Sequence, residues 1–327
     1  MVWSCLVSIL PGMAQTEKLT DYVNPFVGTD GYGNVYPGAQ IPFGGIQISP
    51  DTDSRFYDAA SGYKYNHLTL MGFSLTHLSG TGIPDLGDFL FIPGTGEMKL
   101  EPGTHEDPDQ GYRSRYSHDK EWASPNYYAV ELADYGVKAE MTSGVRSGMF
   151  RFTYPESDNA FIMIDMNHTL WQSCEWSNLR MINDSTITGY KLVKGWGPER
   201  HVYFTATFSK KLTGLRFVQD KKPVIYNTSR FRSSYEAWGK NLMACISFDT
   251  KAGEEVTVKT AISAVSTDGA RNNMKELDGL TFNELRAKGE ALWEKELGKY
   301  TLTADRKTKE KFFHVLHVEE VQRWDIS

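Results

Sequence analysis

Two stretches of this sequence gather residues able to hold a polar ligand. From Thr29 to Gln40 the run TDGYGNVYPGAQ sets Thr29, Tyr32, Asn34 and Tyr36 among glycines that include Gly31 and Gly33. Carbohydrate recognition calls for that mixture. A flat aromatic face takes the apolar side of a pyranose, amides and hydroxyls fix its oxygens, and backbone without a Cβ lets a ligand come close to the main chain. The second stretch runs from Ser61 to Asp88; it carries Ser61, Tyr63 and His77 and then breaks into a glycine loop at Gly80 to Gly87. His77 stays open between two readings: a hydrogen bond to a sugar hydroxyl or tuning of a carboxylate across a cleft, and a satisfied histidine beneath the loop. Asp85 and Asp88 would suit acid–base work or a calcium seat out of context, but their three-residue spacing around a glycine favours turn capping.

Other groups read as structural. Glu121-Trp122 with Arg115 could bring a tryptophan and charges to the surface between domains, but a buried aromatic beside an ion pair at a sheet end is the favoured expectation. Trp171, Trp176 and Trp196 could stack sugars at outer subsites, although tryptophans in a sandwich are expected mainly as core anchors. Cys174 and Cys245 could pair in an oxidising compartment, yet two isolated thiols in a long chain read as unpaired core residues. No CxxC or histidine-pair spacing argues for zinc. Asn227-Thr228-Ser229 matches a glycosylation acceptor, a pattern that arises often by chance.

The elements that must position these groups are strands. With 29 Gly, 17 Tyr, 17 Phe and 8 Trp in 327 residues, composition leans towards strands, tight turns and sugar-stacking surfaces. From Tyr112 onwards strand-like runs recur, among them YYAVELADYGVKAEMTSG, SGMFRFTYP, AFIMIDMNH, HVYFTATFSK and EEVTVKTAISAVS. Ala133 to Gly136 and Ala252 to Glu255 read as hairpin connections and Tyr154 to Asn159 as an exposed turn, so antiparallel pairing is expected to dominate. Near Asp268 the period changes: Leu280, Phe282, Leu285, Ala291, Leu292 and Leu297 recur at helical spacing behind a capping box at Thr281 and Glu284. A further helix begins in RKTKEKFFHVLHVEEVQRW, and a helix with no surface to bury its apolar face against suggests a chain cut short.

The expected divisions are a signal-like leader over 1–18, a β-sandwich over 19–268, a helical linker over 269–300 and the start of a helical domain over 301–327. The leader has an apolar stretch from Val2 to Leu10, too short to span a bilayer, and Cys5 would leave with it. A formal net charge of −6, with no run of Lys or Arg longer than a pair, gives no footprint for nucleic acid.

The stretches DYVNPFVGTDGYGNVYPGAQIPFGGIQISPDT, SGYKYNHLTLMGFSLTHLSGTG, SRYSHDKEWASPNYYAVELADYGVKAEMTSGVRSGMFRFTYP and GWGPERHVYFTATFSK together resemble the amino-terminal domain of glycoside hydrolase family 92, the calcium-dependent exo-acting α-mannosidases. The resemblance covers about residues 20 to 315. It implies a mainly β protein: a large antiparallel β-sandwich of the supersandwich kind, followed by a helical linker and the start of an α/α barrel, with mannose bound in the cleft between sandwich and barrel. It implies removal of α-linked mannose, α-1,2-linked in many members, from N-glycans or mannans by a secreted or periplasmic bacterial enzyme. The chemistry implied is inverting hydrolysis by a carboxyl pair roughly 6.5–9.5 Å apart. Calcium gripping the sugar hydroxyls belongs to the same expectation.

The acid, the base and most calcium ligands are expected in the barrel beyond Ser327, so no catalytic residue falls in this chain. Sugar contacts are expected from Thr29, Gly31, Tyr32, Asn34, Tyr36, Tyr57, Ser61, Tyr63 and His77. The sequence departs from the family at Leu75, where members usually show histidine, at Tyr57, near where many carry tryptophan, and in Ile83-Pro84. A non-catalytic carbohydrate-binding module or a domain that only docks a barrel is the alternative reading.

Overall fold

The computed structural model describes residues 17–54, 59–224 and 236–322. Most of the leader-like segment, Tyr57, the Asn227 to Ser229 acceptor and the last five residues lie outside the described residues.

In chain order the strands are β1 Ser49–Asp51, β2 Thr69–Leu70, β3 Gly72–Ser74, β4 Leu90–Thr95, β5 Ser114–Arg115 and β6 Glu121–Ser124. There follow β7 Tyr127–Leu132, β8 Val137–Ser143, β9 Ser147–Tyr154, β10 Ser157–Asp165, β11 Ser173–Asn183 and β12 Thr186–Lys194. The last six are β13 Arg200–Phe208, β14 Gly214–Gln219, β15 Lys222–Pro223, β16 Glu236–Gly239, β17 Leu242–Thr250 and β18 Glu254–Ser263. A 7-stranded sheet in the order β1-β3-β4-β10-β17-β14-β15 packs on a 9-stranded sheet in the order β16-β11-β12-β13-β18-β9-β8-β7-β6, while β2 and β5 form a separate pair. The pairings are antiparallel. The turn at Ala133 to Gly136 joins β7 to β8 as expected, whereas Pro155-Glu156 carries the chain from one sheet to the other, and so does the expected hairpin at Ala252 to Glu255, because β17 and β18 lie in different sheets.

Alternation of side chains along each strand explains the layering. In β10, Ala160, Ile162 and Ile164 face the main core between the sheets, and Phe161 and Met163 face a smaller cluster on the other side. Strand β17 repeats this with Leu242, Ala244 and Ile246 inward and Met243 and Cys245 outward. Cys174 and Cys245 are both buried free thiols.

Three helices follow: α1 Thr267–Met274, α2 Phe282–Leu297 and α3 Arg306–Gln322. The capping box at Thr281 and Glu284 starts α2. Phe282 and Leu285 of α2 cover Tyr127, Ala129 and Met149 on the outer face of the larger sheet. Gly289 permits that approach, because a Cβ there would sit 1.6 Å from the Asn126 side-chain nitrogen. Trp293 of α2 is buried and its indole N–H donates to the Gln40 carbonyl at 2.8 Å, which pins the first glycine loop to the helices. Among the described residues no helix is long and apolar enough to cross a membrane.

Phe313, His317 and Val321, spaced four apart along α3, lie on its buried side. The His317 ring sits 4.4 Å from that of Trp293. Burial, with His314 adding to it, pulls the His317 imidazole down to about 3. The unfolded chain therefore takes up a proton near the ordinary histidine value that the folded chain refuses, so this contribution is complete above about pH 6.5 and is lost as pH falls towards 3. We expect stability to drop by about 2 kcal/mol at pH 5 for this reason. Thermal melts of His317→Leu should show a flatter profile between these pH values than the native chain; parallel profiles would refute the assignment.

Candidate functional site

The two glycine-rich stretches meet at the backbone of Asn34. This residue sits in the left-handed region, φ 51°, which asparagine tolerates better than most residues. Its carbonyl accepts from the Gly80 N–H at 2.7 Å and from the Ser61 hydroxyl, and its side-chain amide donates to the Tyr32 carbonyl at 3.3 Å. The Thr29 hydroxyl donates to the Phe26 carbonyl at 2.8 Å, while the Thr29 carbonyl accepts from the Tyr65 N–H at 3.1 Å. Gly31, φ 59°, has its carbonyl held by the Lys64 ammonium. Tyr32 stands at the loop tip, 95% exposed. Thr29, Gly31, Tyr32, Asn34 and Ser61 are thus brought together on one loop surface, with Thr29 and Ser61 buried at its base.

Tyr36, Tyr63 and His77 lie beneath this surface instead of on it. The Tyr36 hydroxyl donates to the Gln40 side chain, and its ring lies 5.2 Å from that of His77. Tyr63 donates to the Glu121 carboxylate at 2.9 Å. Glu121 also accepts from the Tyr128 hydroxyl at 2.5 Å and meets His118 Nδ1 at 2.6 Å. His77 is fully buried, with Nδ1 2.8 Å from the Gln47 carbonyl and Nε2 2.8 Å from Asp51. The reading of His77 as a satisfied histidine under the loop matches this geometry.

Behind His77 lie two buried carboxylates that sequence reasoning missed or undervalued. Asp51 receives His77 on one oxygen and His168 Nε2 on the other, each at 2.8 Å. Burial opposes its charge, and the two imidazoles overcome that, holding the carboxyl well below the usual range. Asp88 accepts from Thr76 at 2.7 Å and pairs with Lys191 at 3.0 Å and Arg200 at 2.6 Å. Burial again works against the charge, and Arg200 and Lys191 keep the carboxyl far below its ordinary value. Asp85 caps the N–H groups of Leu86, at 2.6 Å, and Trp196, at 3.1 Å. No signal near Asp51 in the sequence announces His168, which lies 117 residues away.

Several expectations are corrected. Trp122 is 45% exposed, and its neighbour Glu121 is the buried member of the pair. Arg115 bonds to Asp109 and Asp134 at the surface. Among the described residues Trp293 is the one buried tryptophan; Trp171, Trp176, Trp196 and Trp238 are about half exposed, since the core between the sheets is filled by phenylalanine, tyrosine and aliphatic chains. Leu75 is fully buried in that core and does not face the loop surface.

Calcium needs six to eight oxygen ligands. Among the described residues no group of three or more His, Cys, Asp or Glu is placed to hold a metal ion. The buried carboxylates at Asp51, Asp88, Glu121 and Glu140 are each bound to cationic, imidazole or hydroxyl partners. The described residues do not fit a calcium site.

A family model described as the glycosyl hydrolase family 92 N-terminal domain matches residues 22–263. The fold superposes with a TM-score of 0.90 on a family 92 α-mannosidase of Bacteroides thetaiotaomicron solved in complex with mannoimidazole; it is 98% identical to this chain, over 92% of this chain and 40% of that one. Another family 92 glycosyl hydrolase of known structure is 26% identical with a TM-score of 0.78, covering 91% of this chain and 40% of its own. An uncharacterized secreted glycosidase of Arthroderma benhamiae is 26% identical over 308 residues, which is 86% of this chain and 38% of that protein. The chain spans about two fifths of the length of these relatives.

Proposed function

This chain belongs to glycoside hydrolase family 92, a family of glycosidases, and from that premise we propose that it supplies the β-sandwich wall of an exo-α-mannosidase site. The observation that carries the proposal is the near-identity to an α-mannosidase solved with mannoimidazole. In this reading Gly31, Tyr32 and Asn34 form the sugar-facing surface, with Thr29 and Ser61 at its base. Tyr36, Tyr63 and His77 hold that surface from below, and Tyr57 is retained as a proposed sugar contact. Tyr32 offers an aromatic face, and the loop backbone offers polar groups beside it, the combination a pyranose requires.

In this reading the general acid and base, and the ligands of a calcium ion, come from a helical barrel domain beyond this chain. In the same reading the sandwich runs over 19–268, the helical linker over 269–300 and the start of the barrel over 301–327. The geometry supports this division of labour, because Asp51 and Asp88, the buried carboxylates beneath the loops, are fixed in ion pairs and are not available as a free acid and water-activating base. The substrates proposed are α-mannoside glycans, with α-1,2-linked termini of N-glycans or mannans as the first choice and inversion as the stereochemical course. A secreted relative supports an extracellular or periplasmic site of action.

The test is mannose release from an α-1,2-linked mannobiose. The purified 327-residue chain should release none, and addition of a family 92 barrel domain should restore turnover. Release by the chain alone would overturn the division, and the retention of mannosides without any restored turnover would favour a binding module.

A further inference from the structure

Beside the second glycine-rich stretch, on the side of Pro84 and Leu86, a groove of about 830 Å³ opens at the end of the smaller sheet, where β10 finishes and β17 begins. Its lining includes Tyr112, Asp165, Asn167, Trp171, Lys240 and Asn241. We propose that this groove is a second carbohydrate subsite, in which a neutral hexopyranose of a glycan chain stacks on Trp171. The inference rests on the reading of the chain as a mannosidase wall and extends it to sugars remote from the bond that is cut.

Three observations support a sugar as the occupant. Trp171 is 54% exposed yet has φ 74°, a backbone conformation that a bulky residue rarely adopts and that the surrounding structure must enforce. The enforcement is visible on both sides. Leu170 is buried and its N–H donates to the Leu86 carbonyl at 2.9 Å, the Thr169 hydroxyl donates to the Gln172 carbonyl at 2.8 Å, and the Gln172 amide reaches the Pro84 carbonyl at 2.5 Å. The indole is therefore presented from a fixed turn, which lowers the ordering cost of binding.

Both lysines that line the groove are paired. Lys221 meets Glu101 at 2.7 Å, Lys240 meets Glu175 at 3.0 Å, and the Asn241 amide donates to Asp220 at 2.8 Å. An anion finds no free ammonium there, while a polyol finds the aromatic face of Trp171, the amides of Asn167 and Asn241, and the carboxylates of Asp165 and Asp220 as acceptors for its hydroxyls. Burial raises the Asp165 carboxyl above the usual range, and Tyr112 and the Asn167 N–H already fix its two oxygens at 3.3 and 2.8 Å. It is thus a positioned group at the groove wall.

The experiment titrates α-linked mannotriose into the chain by calorimetry, with Trp171→Ala and Trp171→Tyr beside it and circular dichroism to check folding. The proposal expects Trp171→Ala to weaken binding by roughly tenfold or more with an unchanged spectrum, and Trp171→Tyr to keep most of the affinity. Equal affinity for native chain and Trp171→Ala, or no measurable binding by the native chain, would overturn it. Mannose release with the added barrel domain should stay unchanged in Trp171→Ala on mannobiose. A loss on that minimal substrate would place Trp171 in the main cleft and refute the separate subsite, while leaving the wall reading intact.

Discussion

Asp88→Ala is expected to destabilise the chain by about 3–5 kcal/mol. The reason lies in what the carboxylate leaves behind. Lys191 is fully buried on β12, and its ammonium is matched by Asp88 at 3.0 Å, by the His168 carbonyl at 2.6 Å and by the face of Phe89 at 5.3 Å. Removing Asp88 strands that cation in a low-dielectric interior, and Arg200 on β13 loses its anchor as well. Urea titration should show the midpoint displaced in proportion. Because the cost comes from an uncompensated charge, the double variant Asp88→Ala/Lys191→Met should be less destabilised than the sum of the two single changes. A loss below about 1 kcal/mol for Asp88→Ala, or strict additivity in the double variant, would contradict the account.

Asp51→Asn is the second large effect, and its size depends on pH. In the folded chain two imidazoles hold the Asp51 carboxyl well below its ordinary value, so above about pH 4 both folded and unfolded forms are ionised and the stabilisation is complete. As pH falls further, the unfolded chain protonates first and the contribution drains away. The asparagine variant lacks this dependence. It should be less stable than the native chain by about 2–4 kcal/mol near neutral pH, with the gap narrowing below about pH 4. Thermal melts at both pH values decide the matter, since a constant gap would mean that the carboxylate charge does not hold His77 and His168 together.

Much of the fold was legible because it follows from local periodicity. Alternation in SGMFRFTYP puts Phe150 and Phe152 on one face and Met149 on the other, and the structure keeps that division. The capping box at Thr281 needed only four residues to be read, and it is formed. The polar interior was not legible, because His77, Asp51 and His168 are joined by tertiary contacts over 26 and 117 residues. Burial of Tyr36 and Tyr63 was not legible either, because an aromatic ring in a glycine loop can face outwards or inwards, and both of these face inwards. The half-exposed tryptophans escaped for the converse reason. Trp176 and Trp238 sit on the outer face of β11 and β16 at the end of the larger sheet, where strand order, invisible in sequence, decides exposure.

The central claim is that the loop joined at Asn34 forms the sugar-facing surface. Amide hydrogen exchange of the chain with and without mannoimidazole tests it most directly. The account predicts slowed exchange over residues 28–38, 59–63 and 77–82, abolished by Tyr32→Ala together with Asn34→Ala, and no change along β12 and β13. Exchange unaltered in those three segments, or protection confined to other parts of the sandwich, would contradict it.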